Sequence, residues 1–220
     1  MDTFCSLQVD LRDRPCLIIG GGAVAERKLK VLQGCGAKLT VVSPVLNEAL
    51  KALVAAGLID YTADIYRPVY LDHKFLVICA TNKPEINRQA AADCLKRGIL
   101  VNTVSEPASC SFFMPAIYKK GLLSIAVSTA GSSPILARRI KDQIARMFDD
   151  QFDQYLQFLK ESRLEVLNHL AAGERRKAVL EELAGDHFFE QFRKMTPEEA
   201  IAMMKKMIAE AEEKDRRERN

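Results

Sequence analysis

Apolar positions follow two rhythms along this chain. From residue 16 to about residue 104, short unbroken apolar runs alternate with stretches where apolar residues return every three or four positions. The unbroken runs are "CLII" (16–19), "KLTVV" (38–42), "LIDYTA" (58–63), "FLVICAT" (75–81) and "ILVNTV" (99–104). Such runs suit strands covered on both faces, as in a parallel sheet. Between them, Ala25, Leu29 and Leu32 fall at helical spacing and leave Glu26, Arg27, Lys28 and Lys30 toward solvent. "LNEALKALVAAG" follows the same rule, and in residues 84–97 Ile86, Ala90 and Cys94 form a buried stripe. Strands alternating with helices imply right-handed crossovers onto one parallel sheet, an α/β arrangement.

The first junction, "CLIIGGGAVAERKLKVL" (16–32), carries candidate chemistry. In the spacing Gly20-x-Gly22-x-x-Ala25, the first glycine allows a tight turn and the second lets a pyrophosphate approach. The small Ala25 lets helix pack on strand. Free N–H groups and the positive end of the helix dipole would face the phosphates. Taken alone, the turn equally fits a strand-to-helix connection that binds nothing. Five alternating strands favour a dinucleotide-binding, Rossmann-like sheet. The second strand ends at Ser43-Pro44, where an acid often holds the ribose 2′-hydroxyl. Ser43 can bond a hydroxyl but repels no 2′-phosphate, so these residues leave NAD and NADP open. It serves equally as a strand-ending turn.

Composition narrows the class. With 220 residues and 48% apolar content, the chain can bury one full core and a smaller second unit. The absence of a long apolar run or signal-like start predicts a cytoplasmic protein with no membrane partner. Six cysteines show no CxxC spacing, and Cys16, Cys79 and Cys94 fall in predicted core elements. That predicts packed, reduced thiols rather than a zinc site or disulfide frame. The net charge of +3 is mild and calls for no nucleic acid. Basic residues bunch late, at Lys119-Lys120, Arg138-Arg139-Lys141 and Arg175-Arg176-Lys177, which suits an acidic small molecule or a solvated face.

Beyond residue 111 the alternation stops. "SFFMPAIYKKGLLSIAVSTAG" reads as two extended stretches joined at Lys119-Lys120-Gly121. "SSPILARRIKDQIARMF" then opens a helix with Ser133 as N-cap and Pro134 at its first position. After Asp149 the pattern is helical, with Phe152, Tyr155, Leu156 and Leu159 on one apolar face. Thr196-Pro-Glu-Glu199 forms a capping box before the last helix, whose end "EEKDRRERN" reads as frayed. The expected domains are therefore 1–111, a nucleotide-binding unit; 112–148, a small α+β unit; and 149–220, a helical domain. Two strands and a helix cannot bury a core alone, which points to a homodimer.

In this order and at these separations, "CLIIGGGAVAERKLKVL", "VICATNKPEIN", "LVNTVSEPASCSFFMPAI" and "LSIAVSTAGSSPILARRIKDQI" closely resemble the precorrin-2 dehydrogenase/sirohydrochlorin ferrochelatase family, the stand-alone first half of siroheme synthase. The resemblance covers roughly residues 3–150 and continues more weakly through "GERRK" (173–177). It implies NAD-dependent oxidation of precorrin-2 to sirohydrochlorin, followed in some members by insertion of ferrous iron. It also implies a homodimer built around the central unit. The family's NAD contacts fall on Gly20, Gly22, Ala23, Val24, Ser43, Pro44, Val45 and Thr81. A tetrapyrrole rich in carboxylates would meet Asn102, Ser132, Ser133, Arg138 and Arg139, the last two offering guanidinium forks beside a helix start. A hydroxyl that is phosphorylated in the family aligns with Thr129.

One position departs from the family. Its proposed catalytic aspartate lies just after the Asn-x-Val segment, where this chain reads Asn102-Thr103-Val104-Ser105-Glu106. Removing a hydride also requires a proton to leave, and metal insertion requires pyrrole protons to go. A serine is a poor base without an activating group, and Glu106 can substitute if its loop turns it inward. Otherwise it is a solvated loop acid. Dehydrogenation depends mostly on placement beside the nicotinamide and tolerates a weak base, so iron insertion is the activity these residues leave open. A non-catalytic nucleotide-sensing module is the alternative from another class. The whole "STAGSSP" segment and the basic surface favour the enzyme.

Overall fold

The computed structural model describes residues 4–104 and 106–219. By compactness the chain divides into two units, Met1–Met114 and Pro115–Asn220. The first is built on β1 (Pro15–Ile19), β2 (Lys38–Val42), β3 (Asp60–Thr62), β4 (Leu76–Cys79) and β5 (Leu100–Thr103). These form one sheet in the order β3-β2-β1-β4-β5, every neighbouring pair parallel. Crossovers run through α1 (Ala23–Gln33), α2 (Glu48–Ala55) and α3 (Pro84–Lys96).

The unbroken apolar runs have a direct cause. Successive strand side chains point to opposite faces, and both faces are covered. Cys16 and Ile18 pack with Ala25, Leu29 and Leu32 of α1 and Leu50 of α2. Leu17 and Ile19 pack with Ala90, Ala91 and Cys94 of α3 on the other side. Burial raises the thiol of Cys16 to about 11 and that of Cys94 to about 12, and pushes Cys79 further still. These thiols are packing groups, and Cys5 and Cys35 are the exposed ones.

Two details of this unit differ from the sequence pattern. The third strand is only Asp60–Thr62, because β3 is an edge strand paired only along Thr40–Val42. Glu26 is not left to solvent. Its carboxylate accepts from Lys30 Nζ at 2.6 Å and from Asn47 Nδ2 at 2.7 Å, ties that draw it down to 21% exposure.

The second unit opens with an antiparallel hairpin, β6 (Ala116–Lys120) and β7 (Leu123–Val127), so the turn lies one residue later than the Lys119-Lys120-Gly121 joint. Next comes α4 (Pro134–Ala145), where Ser133 Oγ accepts from Leu136 N–H at 3.2 Å as the expected N-cap. Four helices follow: α5 (Asp150–His169), α6 (Glu174–Leu183), α7 (Asp186–Phe192) and α8 (Pro197–Arg219). Their core includes an aromatic cluster, with Tyr155 and Phe158 of α5 against Phe188, Phe189 and Phe192 of α7. Phe158, not Leu156, completes the buried face of α5, which continues through Ser162 and Val166. The capping box forms as written: Thr196 N–H donates to Glu199 Oε2 at 2.8 Å and Glu199 N–H to Thr196 Oγ1 at 3.3 Å. The helix runs to Arg219, supported on its surface by the i,i+4 pairs Lys206–Glu210 and Arg217–Glu213.

Candidate nucleotide-binding cleft

At the carboxyl ends of the strands the first unit opens a cleft of about 740 Å³. β1 lies at the centre of the sheet, with β2 on one side and β4 on the other, so the chain leaves β1 at the point where the strand order reverses. Ligands of open α/β sheets settle at that point. Ile19 sits level with Val42 and Cys79 in the parallel register, which sets the three strand ends side by side.

The three glycines between β1 and α1 do different work. Gly20 holds φ +123°, and a Cβ there would lie 2.4 Å from the Ala80 carbonyl oxygen. A Cβ on Gly21 would lie 2.0 Å from Val45 O. Both are excluded by packing of the chain against itself. Gly22 differs: a Cβ there meets nothing within 4 Å. It is also the N-cap of α1 with no side chain capping it. The first N–H groups of a helix have no acceptor within it, so those after Gly22 stay available beside an empty space at the positive end of the helix. That arrangement fits a pyrophosphate. The sequence pattern assigned roles to Gly20 and Gly22, but the requirement at Gly21 follows from the β2–α2 loop folding over it.

Every residue matched to the family's NAD contacts lines this cleft: Gly20, Gly22, Ala23, Val24, Ser43, Pro44, Val45 and Thr81. Ser43 donates its hydroxyl proton to Val45 O at 2.8 Å, so toward a ligand it can only accept. Two asparagines outside that set hold the walls. Asn47 caps α2 by accepting from Leu50 N–H at 2.9 Å, donates its amide to Glu26, and donates its N–H to Gly21 O at 2.8 Å. One residue thereby ties the glycine turn, α1 and α2 together. On the other side, buried Asn87 of α3 accepts from Thr81 N–H at 3.2 Å and Thr81 Oγ1 at 2.8 Å, and donates to Thr81 O at 3.0 Å. Asn47 carries a sequence signal, an N-cap asparagine before "EALKAL"; Asn87 carries none, because its role exists only once Thr81 is beside it.

The remaining candidate residues fall elsewhere. Asn102 is 5% exposed and donates to Phe112 O at 3.0 Å, bracing the end of β5. Ser105 lies outside the described residues. The Glu106 backbone is pinned on both sides by Thr103 Oγ1, each contact at 3.0 Å. Its carboxylate accepts from Ser109 Oγ at 3.2 Å on its own turn, and it is not among the residues lining the cleft. In the second unit, Ser132, Arg138 and Arg139 are exposed and Ser133 is half-buried around the start of α4. Thr129 Oγ1 accepts from Ser133 N–H at 3.0 Å, so this hydroxyl helps shape the loop before that helix. Among the described residues no group of three or more His, Cys, Asp or Glu is placed to hold a metal ion.

Comparison with known proteins agrees with this geometry. Residues 7–116 match the NAD(P)-binding family model NAD_binding_7, and residues 120–147 match the central region of sirohaem biosynthesis proteins. The chain belongs to the precorrin-2 dehydrogenase/sirohydrochlorin ferrochelatase family. It is 38% identical over 173 residues to the siroheme synthase of Methylobacillus flagellatus, covering 79% of this chain and 37% of that one. Against siroheme synthase 1 of Aeromonas hydrophila it is 37% identical over 188 residues, 86% of this chain and 38% of the relative. The chain therefore spans rather more than a third of the length of these relatives. Among solved structures it resembles SirC, a precorrin-2 dehydrogenase, with a TM-score of 0.73 and 28% identity, covering 96% of this chain and 100% of the other.

Proposed function

We propose that this chain binds NAD in the cleft and oxidises precorrin-2 to sirohydrochlorin, acting as a cytoplasmic homodimer. One observation carries the reading: the turn from Gly20 to Val24 presents uncapped helical N–H groups to an open space at the switch point of the sheet. Bound in the cleft, NAD would supply the hydride acceptor for the macrocycle, and the accompanying proton would pass to a base. The chain's part is to hold the pyrophosphate with main-chain donors and to fix the Thr81 turn through Asn87. Exposed Arg138 and Arg139 offer forks for substrate carboxylates. The Glu106 carboxylate bonds Ser109 on its own turn and does not line the cleft, so it takes the proton in place of the family's aspartate at Ser105 only if its loop turns it inward when substrate binds; in that case Glu106→Gln slows oxidation by about 10²- to 10⁴-fold while NAD affinity holds.

The half-covered hairpin supports self-association. Its strands alternate exposed and half-buried positions, and Ile117, Leu122, Ile135 and Met147 are exposed on this unit. Light scattering should give twice the 24.6 kDa chain mass. The function itself is tested by mixing the protein anaerobically with precorrin-2 and NAD. The sirohydrochlorin absorption spectrum should appear together with NADH; neither appearing removes the proposal. Supplying ferrous iron afterwards, to the parent and to Ser105→Asp, reads whether insertion follows.

A further inference from the structure

Among the described residues lining the cleft, only two carry a formal charge: Asp64 and Lys83. They stand at opposite ends of it. Asp64 follows β3 and Lys83 follows β4, three strand positions apart in the sheet, or roughly 14 Å at ordinary strand spacing. The end of β2, where an acid is expected to read the adenosine ribose, carries Ser43-Pro44 instead. Ser43 N–H donates to Thr62 O at 3.3 Å, so the chain leading to Asp64 runs directly beside that position.

The carboxylate is held in place from its own loop. Oδ1 accepts from Ile65 N–H at 2.8 Å, while Oδ2 accepts from Tyr70 OH and from the guanidinium of Arg67. Arg67 is the cation paired with this carboxylate. It is already committed: it pairs with Asp64, donates to Tyr70 OH at 3.0 Å, and lies over the Tyr70 ring at 5.5 Å from its centre. It is not among the cleft-lining residues, and Lys83 is too far away to compensate.

We propose that Asp64 makes this cleft select an unphosphorylated adenosine ribose, NAD over NADP. This rests on the nucleotide-binding reading above and adds the residue that sets its specificity. A 2′-phosphate brings about two negative charges to an end of the cleft where, among the described lining residues, the one charge is a fixed carboxylate. The 2′-hydroxyl brings none, and both Ser43 Oγ and the carboxylate can accept from it. Discrimination of this kind works by penalising the wrong ligand, so removing the carboxylate relaxes selection chiefly by admitting NADP.

Calorimetric titration of the intact protein with NAD and with NADP tests this. The parent should bind NAD at least about 100-fold more tightly, and Asp64→Asn and Asp64→Ser should each shrink that ratio at least about 10-fold, mainly through tighter NADP binding. Circular dichroism identifies a variant that has not folded, and the other then carries the test. A ratio unchanged in the folded variants overturns the proposal. So does a parent that prefers NADP and loses it in Arg67→Ala, which would make Arg67 a phosphate clamp. Titration with the hypoxanthine analogue of NAD adds a third arm. If the Asp64 variants lose their preference for adenine and keep their preference over NADP, the carboxylate reads the base amine and the proposal falls. A parent that binds neither dinucleotide removes the underlying reading of the cleft, an outcome distinct from binding both alike, which removes only the role of Asp64.

Discussion

The two units place their recognition groups in different materials. In the first, the groups facing the cleft are largely main chain: glycines, the uncapped start of α1, and carbonyls and N–H groups tied by Asn47 and Asn87. Its sheet is aliphatic, with Leu17, Ile18, Val41, Val77 and Val101 fully buried. In the second, the candidate groups are side chains standing in solvent, Ser132, Arg138 and Arg139, around the start of α4, and the core of the helices that follow holds a cluster of aromatic rings. A site made of backbone is as rigid as the sheet that carries it. A site made of arginines takes its shape from what it binds.

The largest effect that would sharpen this contrast is expected in the aromatic core. Phe188→Ala removes a ring packed on Tyr155 and Phe158 and should destabilise the second unit by about 3–5 kcal/mol. Urea unfolding should then show two transitions, with NAD binding surviving the first. A single shifted transition would mean that the units do not unfold separately.

Next come the glycines, which separate space for a ligand from space for the fold. Gly20→Val places a Cβ against Ala80 O at a positive φ and should cost about 3 kcal/mol or more. A Cβ at Gly22 meets no protein atom within 4 Å, so Gly22→Val should cost only about 1 kcal/mol as a poorer N-cap. The same change should weaken NAD by about 100-fold or more, because the branched side chain occupies the phosphate position. Parental NAD affinity in Gly22→Val, measured by calorimetry, would break the contrast.

A smaller effect belongs to the second unit again. Thr196→Ala removes half of the capping box of α8 and should lower stability by about 1 kcal/mol in urea. The smallest belongs to the first. Lys30 and Asn47 hold the Glu26 carboxyl below the usual carboxylate range. A depressed value means that the contribution is present above the unfolded pKa and fades as pH falls through the folded one. Glu26→Gln should therefore be less stable than the parent near neutral pH, and the gap should close in acid. A gap independent of pH would assign the effect to packing at the α1–α2 junction.

Much of the first unit was legible because its physics is local. Consecutive apolar residues mark a doubly covered strand, and glycines between strand and helix mark a turn that something must approach. Gly21 and Asn87 were not legible, since each is defined by a partner distant in sequence, Val45 O in one case and Thr81 in the other. Asp64 escaped for a related reason. Reading along the chain looks for the ribose acid at the end of the second strand, and only the pairing of β2 with β3 brings the third strand's loop alongside. Phe158 was missed because the apolar face was drawn through Phe152, Tyr155, Leu156 and Leu159, while the helix buries the adjoining stripe Tyr155, Phe158, Ser162 and Val166, which a serine interrupts in the sequence pattern.

The cradle proposed for the phosphates belongs to the main chain, and this shapes how the protein can change over generations. A substitution alters a side chain and leaves the N–H groups after Gly22 where they are. Most codons around the cleft can therefore drift without erasing the cradle, and the vulnerable targets shrink to a few glycines and the two asparagines that hold their loops. A lineage can therefore revise the side chains around the cleft while inheriting this main-chain turn intact.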